Sequence, residues 1–529
     1  MQKKMWQALQ AHQQRLEGFS LSDFFAADPQ RFEHCSLQAC GLLFDFSKQY
    51  VKADTITALG ALAEACDLQG SLEALFAGKP LNTSEQRPAL HTALRDPTLR
   101  PCMVSGRDLK QAIRHQHQRM GQFVQRLQSG NYLGLTHKPI TDILCLGIGG
   151  SALGPMMVFG ALAPYKNTNL RCHFVSNIDG HTLATTLGHL DPETTLCIVS
   201  SKTFKTLETL KNAEAVRQWF SKTLGSSLVQ HLIAVTANPS AAEVLGFSTE
   251  QIFEFWDCIG GRYSVWSTVG LPIALSIGME QFDAFLAGAY AMDQHIQSAP
   301  FSQNMPVLMG LLSIWNINFL GSTTQAIIPY EDGLGLLPAY LQQLEMESNG
   351  KQAGRWGTES ATGAVIWGGV GCDAQHAYMQ LLHQGTQIVP VDFLVAAKGH
   401  PDFPQHQAAL LASCLSQSKA LMEGTPKDHK QNADNAADVS SHYCPGNRPS
   451  STVMYERLSP AVLGSLIALY EHKVFVQSRV LGINPFDQWG VEGGKRLLAE
   501  ILPALENPHL RKDLDSSTKG LMDYFLKHR

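Results

Sequence analysis

Residues 143–151, Ile143-Leu144-Cys145-Leu146-Gly147-Ile148-Gly149-Gly150-Ser151, decide the fold. Four consecutive apolar residues suit a strand buried on both faces, and the glycines after them allow a tight turn into an apolar, helix-compatible stretch. The same succession recurs at 173–175, 196–199, 232–235 and 252–255, each run bounded by Gly, Asn, Ser or Pro. Regular alternation of short apolar runs with longer amphipathic stretches predicts parallel strands joined by helical crossovers, a doubly wound α/β unit.

A second alternation begins near residue 302, with strand candidates at 326–328, 365–367 and 388–393 and a helical pattern at 337–347. It predicts a second unit of the same class, with no legible sequence repeat to link the two. The first 125 residues read as mostly helical. The segment 424–452 is poor in large apolar residues and rich in Asp, Asn, Ser and Pro, so it is expected to be an exposed loop. Helical periodicity returns at 461–476. The expected division is a helical segment at 1–115, a first domain at 116–285, a second at 300–510 and a helical tail at 511–529.

With 529 residues the chain exceeds what one core usually organises. Its 41 basic and 46 acidic residues are interspersed and sum to a charge of -5, which offers no footprint for nucleic acid or an anionic membrane. The N-terminal MQKKMWQALQAHQQRL turns polar where a secretory signal needs an apolar core, and no run of about 18 apolar residues occurs that would suit a bilayer crossing. The 11 cysteines are scattered without a CxxC pair, so a reducing cytoplasm and no metal site are expected. A small-molecule partner fits best.

Several constellations carry chemistry. The glycine loop at 147–151 can turn backbone N–H groups toward a phosphate at a helix start. Gly147, Gly149 and Ala152 also satisfy a loose dinucleotide fingerprint, with Asp179 beyond the usual spacing of roughly 20 residues. After the 196–199 run, Ser201, Lys202, Thr203 and Thr206 gather three hydroxyls and an ammonium before a helix. That set suits a phosphate monoester better than a dinucleotide, although a hydroxyl-rich helix cap with a solvated lysine has the same composition. In Gly260-Gly261-Arg262 the paired glycines bring backbone close beside a permanent cation suited to an enediolate oxygen; an arginine in a surface turn is the plain alternative.

Gln343 and Glu347 are four apart in Gln342-Gln343-Leu344-Glu345-Met346-Glu347, sharing a helical face. A proton on carbon next to a carbonyl needs such a close carboxylate base; alone, Glu347 reads as an ordinary helix glutamate. His376 and His383 are seven apart on similar helical faces, and either can protonate a ring oxygen near neutrality. Gln488, Glu492 and Lys495 fall on one side of a later helix, as ion-pairing groups or as the end of a pocket.

Together GIGGSALGP, SKTFKTLET, GGRYSVWS, QQLEMESNGK, QHAYMQLLHQGT and FDQWGVEGGK stand in the order and rough spacing of the glucose-6-phosphate isomerase family, which this chain closely resembles from about Arg87 to Lys495. The resemblance implies two sugar-isomerase (SIS) type αβα domains with parallel sheets, in a homodimer whose active sites draw on both chains. It implies conversion of glucose 6-phosphate to fructose 6-phosphate through ring opening and a cis-enediol, with no metal and no cofactor. Ser201, Lys202, Thr203 and Thr206 would grip the phosphate, and Gly150, Ser151 and Gly261 would line the site. Arg262 would stabilise the enediolate and Glu347 would carry the proton between C2 and C1. Gln343 and Gln488 would orient the sugar. His376, from the neighbouring subunit, would open the ring with Lys495. Ala152 stands where the family usually has aspartate, and Leu344-Glu345 replaces a more typical pair, so the pocket wall is expected to differ there. Two rivals remain at this stage: a non-catalytic sugar-phosphate sensor, which needs no Glu347, Arg262 or Lys495, and a nicotinamide-dependent dehydrogenase built on the glycine loop.

Overall fold

The apolar runs at 143–146, 173–175, 196–199, 232–235 and 252–255 form the strands Asp142–Leu146, Arg171–Val175, Thr195–Ser200, Leu232–Thr236 and Ile252–Glu254. The structure, a computed structural model, describes residues 1–98, 101–104, 106–352, 354–355, 360–425 and 442–529. In space the five strands run in the order 171–175, 142–146, 195–200, 232–236, 252–254, all parallel. The three middle strands are buried at every position, which is why their sequences show continuous apolarity rather than alternation. Chain direction across the sheet reverses between Asp142–Leu146 and Thr195–Ser200. Sheets wound this way open a crevice beyond the carboxyl ends of the two strands at the reversal.

The second sheet contains Thr324–Tyr330, Val365–Gly368, Val391–Ala396 and Ser450–Tyr455, parallel and in the spatial order 450–455, 391–396, 324–330, 365–368. Numbered by chain position, both sheets thus share the winding second-first-third-fourth, an architectural relation that the residues alone do not reveal. The third strand starts at Val391 rather than 388, because Pro390 has no N–H to give the ladder. Ser450–Tyr455 takes up the end of the expected 424–452 loop, and residues 426–441 of that loop lie outside the described residues.

The N-terminal segment, read as mostly helical, contributes a hairpin, Ser36–Ala39 and Leu42–Asp45, which adds antiparallel to the Ser450–Tyr455 edge. Its two-residue turn, Cys40 and Gly41, has φ of 52° and 76°, the paired positive values that match strand twist in a tight hairpin.

The helix Leu271–Ser298 packs on Pro460–Leu481 so closely that a Cβ on Gly464 would lie 2.0 Å from the Phe285 carbonyl oxygen. By length and composition the stretch Thr268–Ser298 could cross a membrane, but 72% of its most apolar window is buried inside the fold, as befits a core helix. Both sheets belong to one compact unit, Met1–Pro485; Phe486–Arg529 forms another. In the latter, the helices Glu492–Glu506 and Ser516–His528 are tied through Arg511, which bonds Asp523 at 2.9 Å and the Ala504 carbonyl at 2.8 Å.

Candidate active site

The strand Thr195–Ser200 delivers the residues 201–206 to the reversal point of the first sheet, and Thr206 stands at the N-cap position of the helix Leu207–Leu224 without a side-chain capping bond. Ser201 and Thr206 hydroxyls lie 3.1 Å apart. The Lys202 ammonium donates to the carbonyls of Asp257 and Ile259 at 2.9 and 3.0 Å, tying this loop to the one that carries Arg262. Burial, and then the positive charge of Arg87, pull the Lys202 pKa down to about 8. Thr203 is exposed, and Phe204 between them holds a left-handed φ of 53° with its ring buried.

The glycine loop leaves the neighbouring strand. A Cβ on Gly147 would lie 3.2 Å from the Ser200 carbonyl oxygen, and one on Gly149, whose φ is 56°, would lie 3.1 Å from Gln343 Nε2. At Gly150 a Cβ would lie 2.1 Å from the Gly261 carbonyl, so only glycine permits the two loops to meet. Two residues of backbone, at most about 7 Å, therefore separate the glycine beside the carboxyl end of the hydroxyl-bearing strand from the glycine beside the Gln343 amide. Ser151 is partly exposed beside them and Ala152 is buried. Asp179 caps the helix Gly180–Gly188 by accepting from His181 N–H at 2.9 Å, a use unrelated to any ribose.

Arg262 is buried and not in a surface turn. Its Nε donates to Ser348 Oγ at 2.6 Å, its Nη2 to the Pro485 carbonyl at 2.5 Å, and its Nη1 lies 3.4 Å from Glu347 Oε2. Tyr263 reaches the same Ser348 hydroxyl at 3.0 Å, and the His91 ring packs against Tyr263 at 4.7 Å, tilted by 31°. A cation fixed by three acceptors is pre-oriented for charge that develops beside Glu347.

Gln343 and Glu347 do not sit on a plain α-helix. After Leu337–Leu341 the residues Gln342–Met346 form a π-turn, and Glu347–Asn349 closes the element. The wider i to i+5 bonding of such a turn is frequent at functional sites. Its cause is visible in Glu345, which is buried and accepts from Lys473 at 2.8 Å and Gln477 at 3.0 Å. Of two carboxylates two residues apart, Glu345 is locked into the core, while the Glu347 side chain keeps 23% exposure. Gln343 Oε1 is buried without a hydrogen-bond partner among the described residues, an amide left over for a ligand.

A family model, phosphoglucose isomerase, matches residues 45–522. The chain belongs to the phosphoglucose isomerase family. A glucose-6-phosphate isomerase of Pseudomonas fluorescens is 49% identical over 99% of this chain and 97% of its own length. The enzyme of the same name from Pseudomonas aeruginosa is 48% identical with the same coverage. The crystal structure of a glucose-6-phosphate isomerase from Chlamydia trachomatis superposes with a TM-score of 0.85 at 32% identity, covering 99% of both chains.

In this member of the phosphoglucose isomerase family, His376 and His383 stand on either side of a helix break, and Gln488 and Lys495 belong to the Phe486–Arg529 unit. His376 ends the short helix Gly371–Gln375 and a new helix, Met379–Gln384, carries His383, so the two histidines do not share one helical face. His383 bonds Gln417 at 2.8 Å and holds two helices together. The His376 side chain is exposed and, among the described residues, makes no hydrogen bond or ion pair. Gln488 precedes the helix Glu492–Glu506 with extended φ of −152°, so it does not share a helical side with Lys495. Lys495 pairs with Glu492 at 2.6 Å within its own unit. Sequence reading missed Ser348 and Lys351, whose ammonium bonds the Glu347 carbonyl at 3.2 Å. Their adjacency to Glu347 in one motif was the available signal.

Proposed function

We propose that this chain interconverts glucose 6-phosphate and fructose 6-phosphate by moving one proton between C2 and C1. Ser201, Lys202, Thr203 and Thr206 hold the phosphate, with Gly150, Ser151 and Gly261 forming the floor. His376 and Lys495 open the sugar ring by giving and taking its oxygen-bound protons. Glu347 removes the C2 proton, Arg262 stabilises the resulting cis-enediolate oxygen, and the same carboxyl returns the proton to C1. Gln343 and Gln488 orient the hydroxyls. Only protein groups act, so the reading needs neither metal nor cofactor. The observation that carries it is the Arg262–Glu347 pair at 3.4 Å, reached from the hydroxyl cluster across the glycine loop.

The protein is further read as a homodimer with sites shared between subunits. Exposed His376 makes no side-chain hydrogen bond or ion pair among the described residues, and Leu497, Leu498 and Leu502 turn an apolar face to solvent on the Glu492–Glu506 helix. A cytoplasmic location is supported by 11 free cysteines, several pushed toward the thiol form by burial.

Glu347→Gln tests the assignment. Inorganic phosphate binding should stay within about twofold, while turnover falls by about 1,000-fold or more and exchange of the C2 hydrogen with solvent stops. Exchange at the native rate would remove Glu347 from its role.

A further inference from the structure

A cavity of about 690 Å³ opens between the helix Leu207–Leu224 and the residues 245–247, and none of the residues assigned to isomerisation lines it. Its volume falls in the range of small-molecule sites, about 300–1,000 Å³. Phe204, Leu210, Ala213, Leu245 and Phe247 make its walls. The Phe204 and Phe247 rings meet edge to face at 5.5 Å, forming a rigid apolar floor.

One lining group is out of keeping with that floor. Arg217 is half-buried with its guanidinium 5.0 Å from the Phe247 ring centre, and among the described residues it makes no hydrogen bond or ion pair. Partial burial limits the water that can reach its five donors and supplies no protein acceptor among the described residues. Glu214, the acid in the lining, is turned to solvent and pairs with Lys211 at 3.1 Å. Lys222 adds a second positive charge.

We propose that this cavity is a binding site for a monocarboxylate with an apolar tail, of the medium-chain fatty-acid class. The tail lies on Phe204 and Phe247, and the carboxylate takes the planar, two-pronged donor pair of Arg217. A sugar phosphate is a poor occupant, since Ser221 is the sole hydroxyl in the lining and the walls are hydrocarbon. The site is independent of the isomerase assignment and is read by binding, not by turnover.

Calorimetric titration of the full chain with decanoate tests it. Saturable binding of one decanoate per chain is expected, at least tenfold weaker in Arg217→Gln and at least tenfold weaker for 1-decanol than for decanoate. Leu245→Asp, at a position 40% exposed and so tolerant of charge, should weaken decanoate by repulsion while fructose 6-phosphate turnover stays native in both variants. Native decanoate affinity in Arg217→Gln, equal affinity for the alcohol, or no saturable binding below the micelle threshold would each overturn the proposal.

Discussion

At the scale of single residues, burial sets the behaviour of two charges. Lys202 holds its proton below about pH 8 and loses it above, because the ammonium is poorly solvated and Arg87 repels it. If that ammonium grips the substrate phosphate, the dissociation constant for inorganic phosphate should be flat to pH 8 and then rise, approaching about tenfold per pH unit. Lys202→Arg, which keeps its charge, should bind with little change between about pH 7 and 9; a rise identical to the native one would clear Lys202 of the effect. Asp392 runs the other way. Burial raises its pKa to about 6, opposed by Lys473 and by hydrogen bonds from Tyr470 and Gln325, with the Glu345 charge adding to the rise. A carboxyl raised in the folded state contributes stability that is complete below its unfolded value near 4 and is lost as pH climbs through about 6. Asp392→Asn keeps an oxygen for Tyr470 and Gln325, so its unfolding free energy should match the native value near pH 4 and exceed it above pH 7 by on the order of 2–3 kcal/mol, with a melting temperature raised to match. A lower melting temperature at pH 8 would contradict this.

At the scale of elements, the glycine loop is both anion cradle and spacer. Gly150→Ala drives a methyl into the Gly261 carbonyl, so the loop carrying Arg262 must shift by about an ångström, and kcat/KM should fall on the order of 100-fold. Gly160→Ala, on the exposed side of the following helix with its nearest neighbour atom at 3.8 Å, should leave activity native. Equal effects of the two would show that helix entropy, not loop contact, is being measured. The parallel strands of the first sheet and the loops after them were legible because their signals are local: apolar runs of fixed length, each closed by glycine, serine or asparagine; Ser450–Tyr455 was not, because its serines and threonine continue the polar composition of the loop before it. The π-turn before Glu347 was not, because its extra bonding step is imposed by Lys473 and Gln477 gripping Glu345 from more than a hundred residues away. Nor was the Ser36–Ala39 hairpin, whose turn uses Cys40 where asparagine or aspartate would announce a positive φ. The break at His376 hid for a similar reason, since apolar spacing runs through it unbroken while the backbone ends one helix and starts another.

At the scale of the whole molecule, the ring-opening role proposed for His376 turns on which chain supplies that side chain. His376 is exposed and without a side-chain partner among the described residues, and the apolar stripe of Glu492–Glu506 continues in character on Ser516–His528, where Leu521, Tyr524 and Phe525 are exposed. We propose that a second copy covers these surfaces and that the two-fold pair brings each His376 to the other chain's Glu347. That arrangement has a consequence no monomer can imitate. Glu347→Gln and His376→Ala should each lower turnover by about 100-fold or more as homodimers. When the two are mixed, dissociated by mild denaturant and reassembled, half the dimers are mixed, and each mixed dimer has one site with both groups intact. Activity should therefore recover to about a quarter of native. Recovery that stays at the level of the separate variants would mean that both groups act within one chain.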